Sequence, residues 1–124
     1  MNETELRQEL RDKNEKTLLL AKKLSSMINI NNIIITKGSS GALLYNSKNK
    51  KFSNCPAFAS KVIDRVGAGD TLLAITSLCY HSKISEALTL LAGNLAAADF
   101  IGKMGTGNKI NLDEIKKSII YLTK

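Results

Sequence analysis

Three consecutive isoleucines, Ile33-Ile34-Ile35, closed by the turn Thr36-Lys37-Gly38-Ser39-Ser40-Gly41, constrain the fold more than any other stretch of this chain. Successive side chains of a strand point to opposite faces. An unbroken apolar run therefore needs cover on both sides of a sheet, the pattern of a parallel sheet clothed by helices. The flanking sequence offers that cover. Upstream, ETELRQELRDKNEKTLLLAKKLSSMI reads as helix, with Leu6 and Leu10 on one face, a break expected at Asp12 to Asn14, and an apolar stripe of Leu18, Leu19, Leu24, Met27 and Ile28. Downstream, GALLYN and KKFSNCPAF read as second and third strands around the polar turn NSKNK, and the only proline, Pro56, suits an edge or a loop.

From Thr71 the period is helical again. TLLAITSLCYHS is apolar almost all round, which predicts a central, buried helix. KISEALTLLAGNLAAADFIGKMG opens on a Ser85 cap with Glu86 in its first turn and stops at Gly102 and Gly105. Its small residues Ala92, Gly93, Ala96, Ala97 and Ala98 permit close packing or the close approach of a ligand. NLDEIKKSIIYLTK closes the chain as an amphipathic helix. The expected class is α/β: a single domain over 1–124, with a short, mostly parallel sheet and flanking helices.

The composition, 44% apolar with no Trp, supports a core of Leu, Ile and Ala. The net charge of +7 suits an anionic partner such as a nucleotide or sugar phosphate. The lysines are scattered, without a basic block or interleaved aromatics, which argues against nucleic acid. No apolar run approaches the roughly 20 residues of a membrane span, and the charged opening does not read as a signal peptide. Cys55 and Cys79 lack metal-ligand spacing and cannot build a zinc site with the single His81. They read as a reduced pair in a cytoplasmic protein.

Gly67-Ala68-Gly69-Asp70, at the mouth of the helix from Thr71, carries the chemistry. Small residues let successive N–H groups converge, and the free amides and dipole of a helix start share that focus. The result is an anion hole, with Asp70 beside it able to accept a proton from an attacking hydroxyl. An aspartate there is equally an ordinary helix N-cap, and the residues alone leave both readings open. The 36–41 turn follows the expected buried strand, where open α/β sheets bind ligands. It reads either as a nucleotide-phosphate loop using Lys37 or as a plain hairpin turn.

Together these motifs resemble the ribokinase-like (PfkB) carbohydrate kinase family. DRVGAGD (64–70) is similar to its D-T-x-G-A-G-D signature, TKGSSG (36–41) to its T-x-G-x-x-G nucleotide loop, and NETE (2–5) to its N-x-x-E motif. GNLAAADFIGKMGT (93–106) looks like its late helix and terminal glycine turn, and the order of the motifs agrees. The resemblance implies ATP-dependent phosphorylation of a sugar or sugar-phosphate hydroxyl. Asp70 would be the catalytic base, and Gly67, Ala68 and Gly69 the anion hole. Thr36, Lys37, Gly38, Ser39, Ser40 and Gly41 would line the ATP site with Asn94 and Asn2. Glu5, with Asn2, would help to place Mg²⁺ through water, and Asp64 with the backbone near Val66 and Gly105 would form a monovalent-cation (K⁺) loop. Arg65 and Ile75 depart from the pattern; Arg65 would either grip a substrate phosphate or stay solvated. DRVGAGDT with IGKMGT is most like kinase domains that act on heptose phosphates.

The resemblance further implies that the chain is the C-terminal, nucleotide-binding portion of such a kinase, with the N-terminal substrate and lid portion absent. Alone it would have negligible sugar kinase activity. It would expose apolar surface and form a homodimer or pair with the missing portion. The alternative is a non-catalytic nucleotide-binding or assembly subunit.

Overall fold

The computed structural model describes residues 1–59, 66–102 and 111–124. In chain order these form α1 (Glu3–Glu9), α2 (Thr17–Ile28), β1 (Asn32–Thr36), a 3-10 turn (Gly38–Ser40), β2 (Ala42–Asn46), β3 (Lys51–Cys55), α3 (Ala68–His81), α4 (Glu86–Ile101) and α5 (Leu112–Leu122). The first helical stretch breaks where its sequence turns polar. Arg11 takes φ 51°, and the Asp12 carboxylate accepts the Asn14 and Glu15 N–H groups at 3.0 Å each.

Among the described residues the sheet has three strands in the order β1-β2-β3, and both pairings are antiparallel. This corrects the mostly parallel sheet expected from the isoleucine run. Residues 37–41 and 47–50 connect the strands as tight hairpins, whereas a parallel pair needs a crossover of about a dozen residues. The isoleucines report burial on two faces, and they do report that correctly. Ile33, Ile35, Leu43 and Tyr45 pack with Leu6, Leu20, Ala21 and Leu24 of α1 and α2. Ala42, Leu44 and Cys55 pack on the other face with Leu72 of α3 and Leu90 of α4, and Ile34 joins them. The product is a helix–sheet–helix sandwich. On the outer edge of β1 a single parallel bridge joins Asn2 to Thr36.

The helix expected to be central and buried is only partly so. In α3 Thr71, Leu72 and Thr76 are buried, while Leu73 and Leu78 are 63% and 64% exposed. One side of α3 is occupied by α4, so closely that a Cβ on Gly93 would lie 2.6 Å from Thr76 Cγ2. The small-residue stretch of α4 thus serves helix packing at Gly93. The side of α3 bearing Leu73 faces away from it. Met27 and Ile28 at the end of α2 are also exposed, so apolar surface is present as expected. Cys55 and Cys79 are both free thiols, pushed up in pKa by burial. Among the described residues no helix is long and apolar enough to cross a membrane.

Candidate active site

Gly67, at φ 86°, occupies the N-cap of α3 and its carbonyl accepts the Thr71 N–H at 2.9 Å. Asp70 therefore sits in the first turn and is not the cap. Its side chain is exposed and takes no hydrogen bond or ion pair among the described residues. No side chain caps this helix, so its first-turn amides stay open to an anion, supported by the helix dipole. Gly69 has an ordinary φ, and a Cβ there would meet nothing within 4 Å. Among the described residues neither backbone nor packing requires a glycine at that position.

Gly69 and Asp70 open onto a cleft of about 680 Å³ that also receives Asn2, Glu5 and Thr36. The direction of α3 explains this meeting. Its far end carries Tyr80, which feels the charge of Glu86. Glu86 in turn accepts the side-chain amide of Asn46, the partner of Asn32 at the start of β1. Asp70 lies ten residues back, about 15 Å along the helix, and β1 covers about 13 Å from Asn32 to Thr36. Hence α3 runs antiparallel to β1, and its N-terminus stands level with the carboxyl end of that strand. Ligands of α/β sheets bind at such ends.

The N-x-x-E motif is, locally, a capping box. Asn2 Oδ1 accepts the Glu5 N–H and Glu5 Oε2 accepts the Asn2 N–H, both at 2.8 Å. Glu5 keeps its second carboxylate oxygen. The described residues hold no cluster of three or more metal-ligating side chains. Three carboxylates, Glu5, Glu9 and Asp70, line the cleft; Glu5, beside Asn2 and with its second oxygen kept, fits Mg²⁺, which keeps several waters and binds through one or two carboxylates.

The other turn is explained mostly by the fold. Gly38 and Gly41 have φ 57° and 85°, and a Cβ on Gly41 would come within 2.0 Å of the Cys55 carbonyl oxygen. The amides of Lys37, Ser40 and Gly41 bond to Gly41, Lys37 and Gly38 carbonyls at 2.7, 3.1 and 3.1 Å. Gly38, Ser39 and Ser40 are exposed, and of residues 36–41 only Thr36 lines the cleft. Asn94 is buried in α4, donates to the Leu90 carbonyl at 2.8 Å, and stands apart from the cleft lining. Asp64, Arg65 and Gly105 lie outside the described residues.

Sequence reading missed the apolar half of the cleft, formed by Leu24, Ile28, Ile30, Leu73 and Tyr80. The signal for it was the all-round apolar pattern of α3, read as burial within this chain. The Tyr80 hydroxyl is buried without a hydrogen-bond partner among the described residues, and burial, with Glu86 second, pushes its pKa up to about 12.

The fold and the ordered motifs define a class. The chain matches the pfkB family of carbohydrate kinases over residues 1–113, and it belongs to that family. Among curated relatives it is 38% identical over 87 residues to the bifunctional protein HldE of Campylobacter fetus, covering 70% of this chain and 18% of that protein. It is 36% identical over 100 residues to HldE of Campylobacter curvus, covering 77% and 20%. Among solved structures, phosphofructokinase-2 of Escherichia coli in complex with potassium superposes at TM-score 0.84 with 20% identity, over 99% of this chain and 40% of that one. Ribokinase of Arabidopsis thaliana complexed with ribose and ATP gives 0.80 with 22% identity, over 94% and 38%. The fold is therefore ribokinase-like α/β. The chain spans about a fifth of the length of those curated relatives and about two fifths of those structures.

Proposed function

We propose that these residues form the nucleotide-binding and base-bearing side of an ATP-dependent sugar kinase site, with a sugar or sugar phosphate as acceptor. The observation that carries this reading is the meeting of Asn2, Glu5 and Thr36 with Gly69 and Asp70 in one cleft at the uncapped start of α3. In the proposed reaction Asp70 takes the proton of the acceptor hydroxyl. That oxygen bonds to the γ-phosphorus of ATP, the bond to the ADP oxygen breaks, and the open amides of α3 hold the charge on the transferring group. Glu5, with Asn2, would help to place Mg²⁺ through water, and the ion would neutralise phosphate charge. The 36–41 turn and Asn94 would border the nucleotide beyond the cleft, and Asp64 would serve a K⁺ loop. A heptose phosphate is the proposed acceptor class, supported by the likeness to HldE. The site would work in the cytoplasm, where ATP and sugar phosphates are found.

Domain organisation is part of the same proposal: 1–124 supplies the C-terminal portion, and the remainder of the family's fold supplies sugar selection and closure. Phosphoryl transfer depends on positioning and on excluding water, so the 124 residues alone should bind nucleotide and turn over negligibly. Two measurements test this. Mg·ATP should raise the thermal midpoint of the chain, as any ligand of the folded state does. In a complex with the rest of a PfkB kinase, Asp70→Asn should abolish turnover and leave that nucleotide shift intact. Turnover near wild type would remove Asp70 from the mechanism. Retained nucleotide binding without turnover in every such complex would favour the non-catalytic subunit.

A further inference from the structure

At about 100° per residue, the side chains of α1 divide into three faces. Leu6 is buried in the core, and Leu10 at the C-cap packs against the same cluster, close to the same line along the helix. Glu5 and Glu9, on one flank of that line, reach the cleft. Glu3 and Arg7, on the other flank, meet the start of α2. Glu3 Oε1 accepts the Thr17 hydroxyl and, at 2.8 Å, Arg7 Nη2, and the same Nη2 reaches Thr17 Oγ1 at 3.3 Å. Arg7 Nη1 donates to the Lys13 and Glu15 carbonyls at 3.2 and 2.9 Å. One guanidinium thus ties α1 both to the connector that follows it and to the first residue of α2.

The consequence falls on the opposite flank. Glu5 Oε2 accepts the Asn2 N–H, so the carboxylate is held in the frame of α1 and moves with that helix. A helix of seven residues is too short to be held by its own bonds. Leu6 and Leu10 fix where it sits, but contacts along one line leave it able to roll. We infer that Arg7 is a positioning residue for Glu5: with Glu3 and Thr17 it sets the roll of α1 about Leu6 and so aims Glu5 into the cleft that Gly69 and Asp70 share. The clasp is partly exposed, and an ion pair of that kind adds little to stability. What the planar fork supplies is direction, since its donors address their partners at fixed angles. The inference rests on the reading of Glu5 as the residue that helps to place Mg²⁺.

The test is the affinity of the 124-residue chain for ATP, measured by calorimetry at saturating Mg²⁺ and again without divalent cation. The ratio of the two affinities is the metal's share of binding. Glu5→Gln should abolish that share. Arg7→Ala should cut it by about 10-fold, the scale on which groups behind a metal ligand act, and leave the affinity for metal-free ATP unchanged. Removing a nearby cation would by itself favour Mg²⁺, so the sign separates positioning from charge. Arg7→Lys keeps the charge without the fork and should lose the share as Arg7→Ala does. Thr17→Val removes the hydroxyl alone, should leave the chain folded, and should act in the same direction. In a Glu5→Gln background Arg7→Ala should have no further effect on the ratio. Equal weakening of ATP with and without Mg²⁺ would overturn the positioning role. So would a share that Glu5→Gln removes but Arg7→Ala and Thr17→Val leave intact. A share untouched by Glu5→Gln would overturn the metal reading itself, and the positioning role with it.

Discussion

Gly41 and Gly69 stand in the two glycine turns that look alike in the sequence, and they differ in what demands them. Gly41 is demanded by the fold: its φ is 85°, and a side chain would strike the Cys55 carbonyl oxygen at 2.0 Å and Pro56 at 2.6 Å. Among the described residues nothing demands Gly69: its φ is ordinary and a Cβ there would meet no atom within 4 Å. A glycine that costs helix stability without an internal reason leaves room for something external. The contrast explains Gly41 by the fold and leaves Gly69 to the ligand role proposed for the start of α3, although both turns were legible only as glycine-rich loops.

The largest effect should come at Gly41. Gly41→Ala combines a left-handed backbone with a backbone clash, and should cost on the order of 3 kcal/mol or more in denaturant unfolding. A loss under about 1 kcal/mol would mean that Cys55 and Pro56 can retreat, and the contrast would weaken. Gly93→Ala comes next. Its Cβ would meet the Thr76 methyl at 2.6 Å and Leu72 at 3.4 Å, an overpacking of α3 against α4 worth about 1–3 kcal/mol. Gly38→Ala isolates the backbone cost, since φ is 57° and the space is open; about 1–2 kcal/mol is expected.

Gly69→Ala reverses the sign. Alanine favours helix, so stability should rise by up to about 1 kcal/mol. The stabilisation by Mg·ATP should fall in the same variant, because the methyl would occupy the place of an approaching phosphate. If Gly69→Ala keeps the full nucleotide shift, the open amides of α3 are not the anion site.

The sequence carried some of this arrangement and not the rest, for identifiable reasons. Element order was readable because each stretch holds one period: the isoleucine run, the break at Asp12, the helical return at Thr71. Strand direction was not, since an apolar run reports cover on both faces, and only the short hairpins fix antiparallel pairing. Asp70 could be read as cap or base because its residue type suits both, and the choice needed the φ of Gly67, which puts the cap there. The pairing of Asn2 with Glu5 was visible as a motif, and its capping box gives that spacing a structural reason. The exposure of Leu73 was hidden, because hydropathy cannot tell which part of a sheet will cover a helix.

The smallest effect extends the contrast from glycines to carboxylates. Glu3 is consumed by the fold: its Oε1 accepts the Thr17 hydroxyl and, at 2.8 Å, Arg7 Nη2. The Thr17 hydrogen bond first, and Arg7 second, hold its pKa below the usual carboxylate value of 4.5. Asp70, on the same molecule, has no such partner among the described residues. Glu3 is therefore protonated less readily folded than unfolded, and on acidification the unfolded chain takes up its proton first. Its contribution is fully present above about pH 4.5 and is lost as the pH falls through the lower folded value. Glu3→Gln should flatten the acid limb of the stability curve below pH 4.5 slightly, as expected for a partly exposed pair. An acid limb unchanged by Glu3→Gln would mean that Thr17 and Arg7 do not hold Glu3 in the folded chain, and the contrast between a carboxylate used by the fold and one left open would fail.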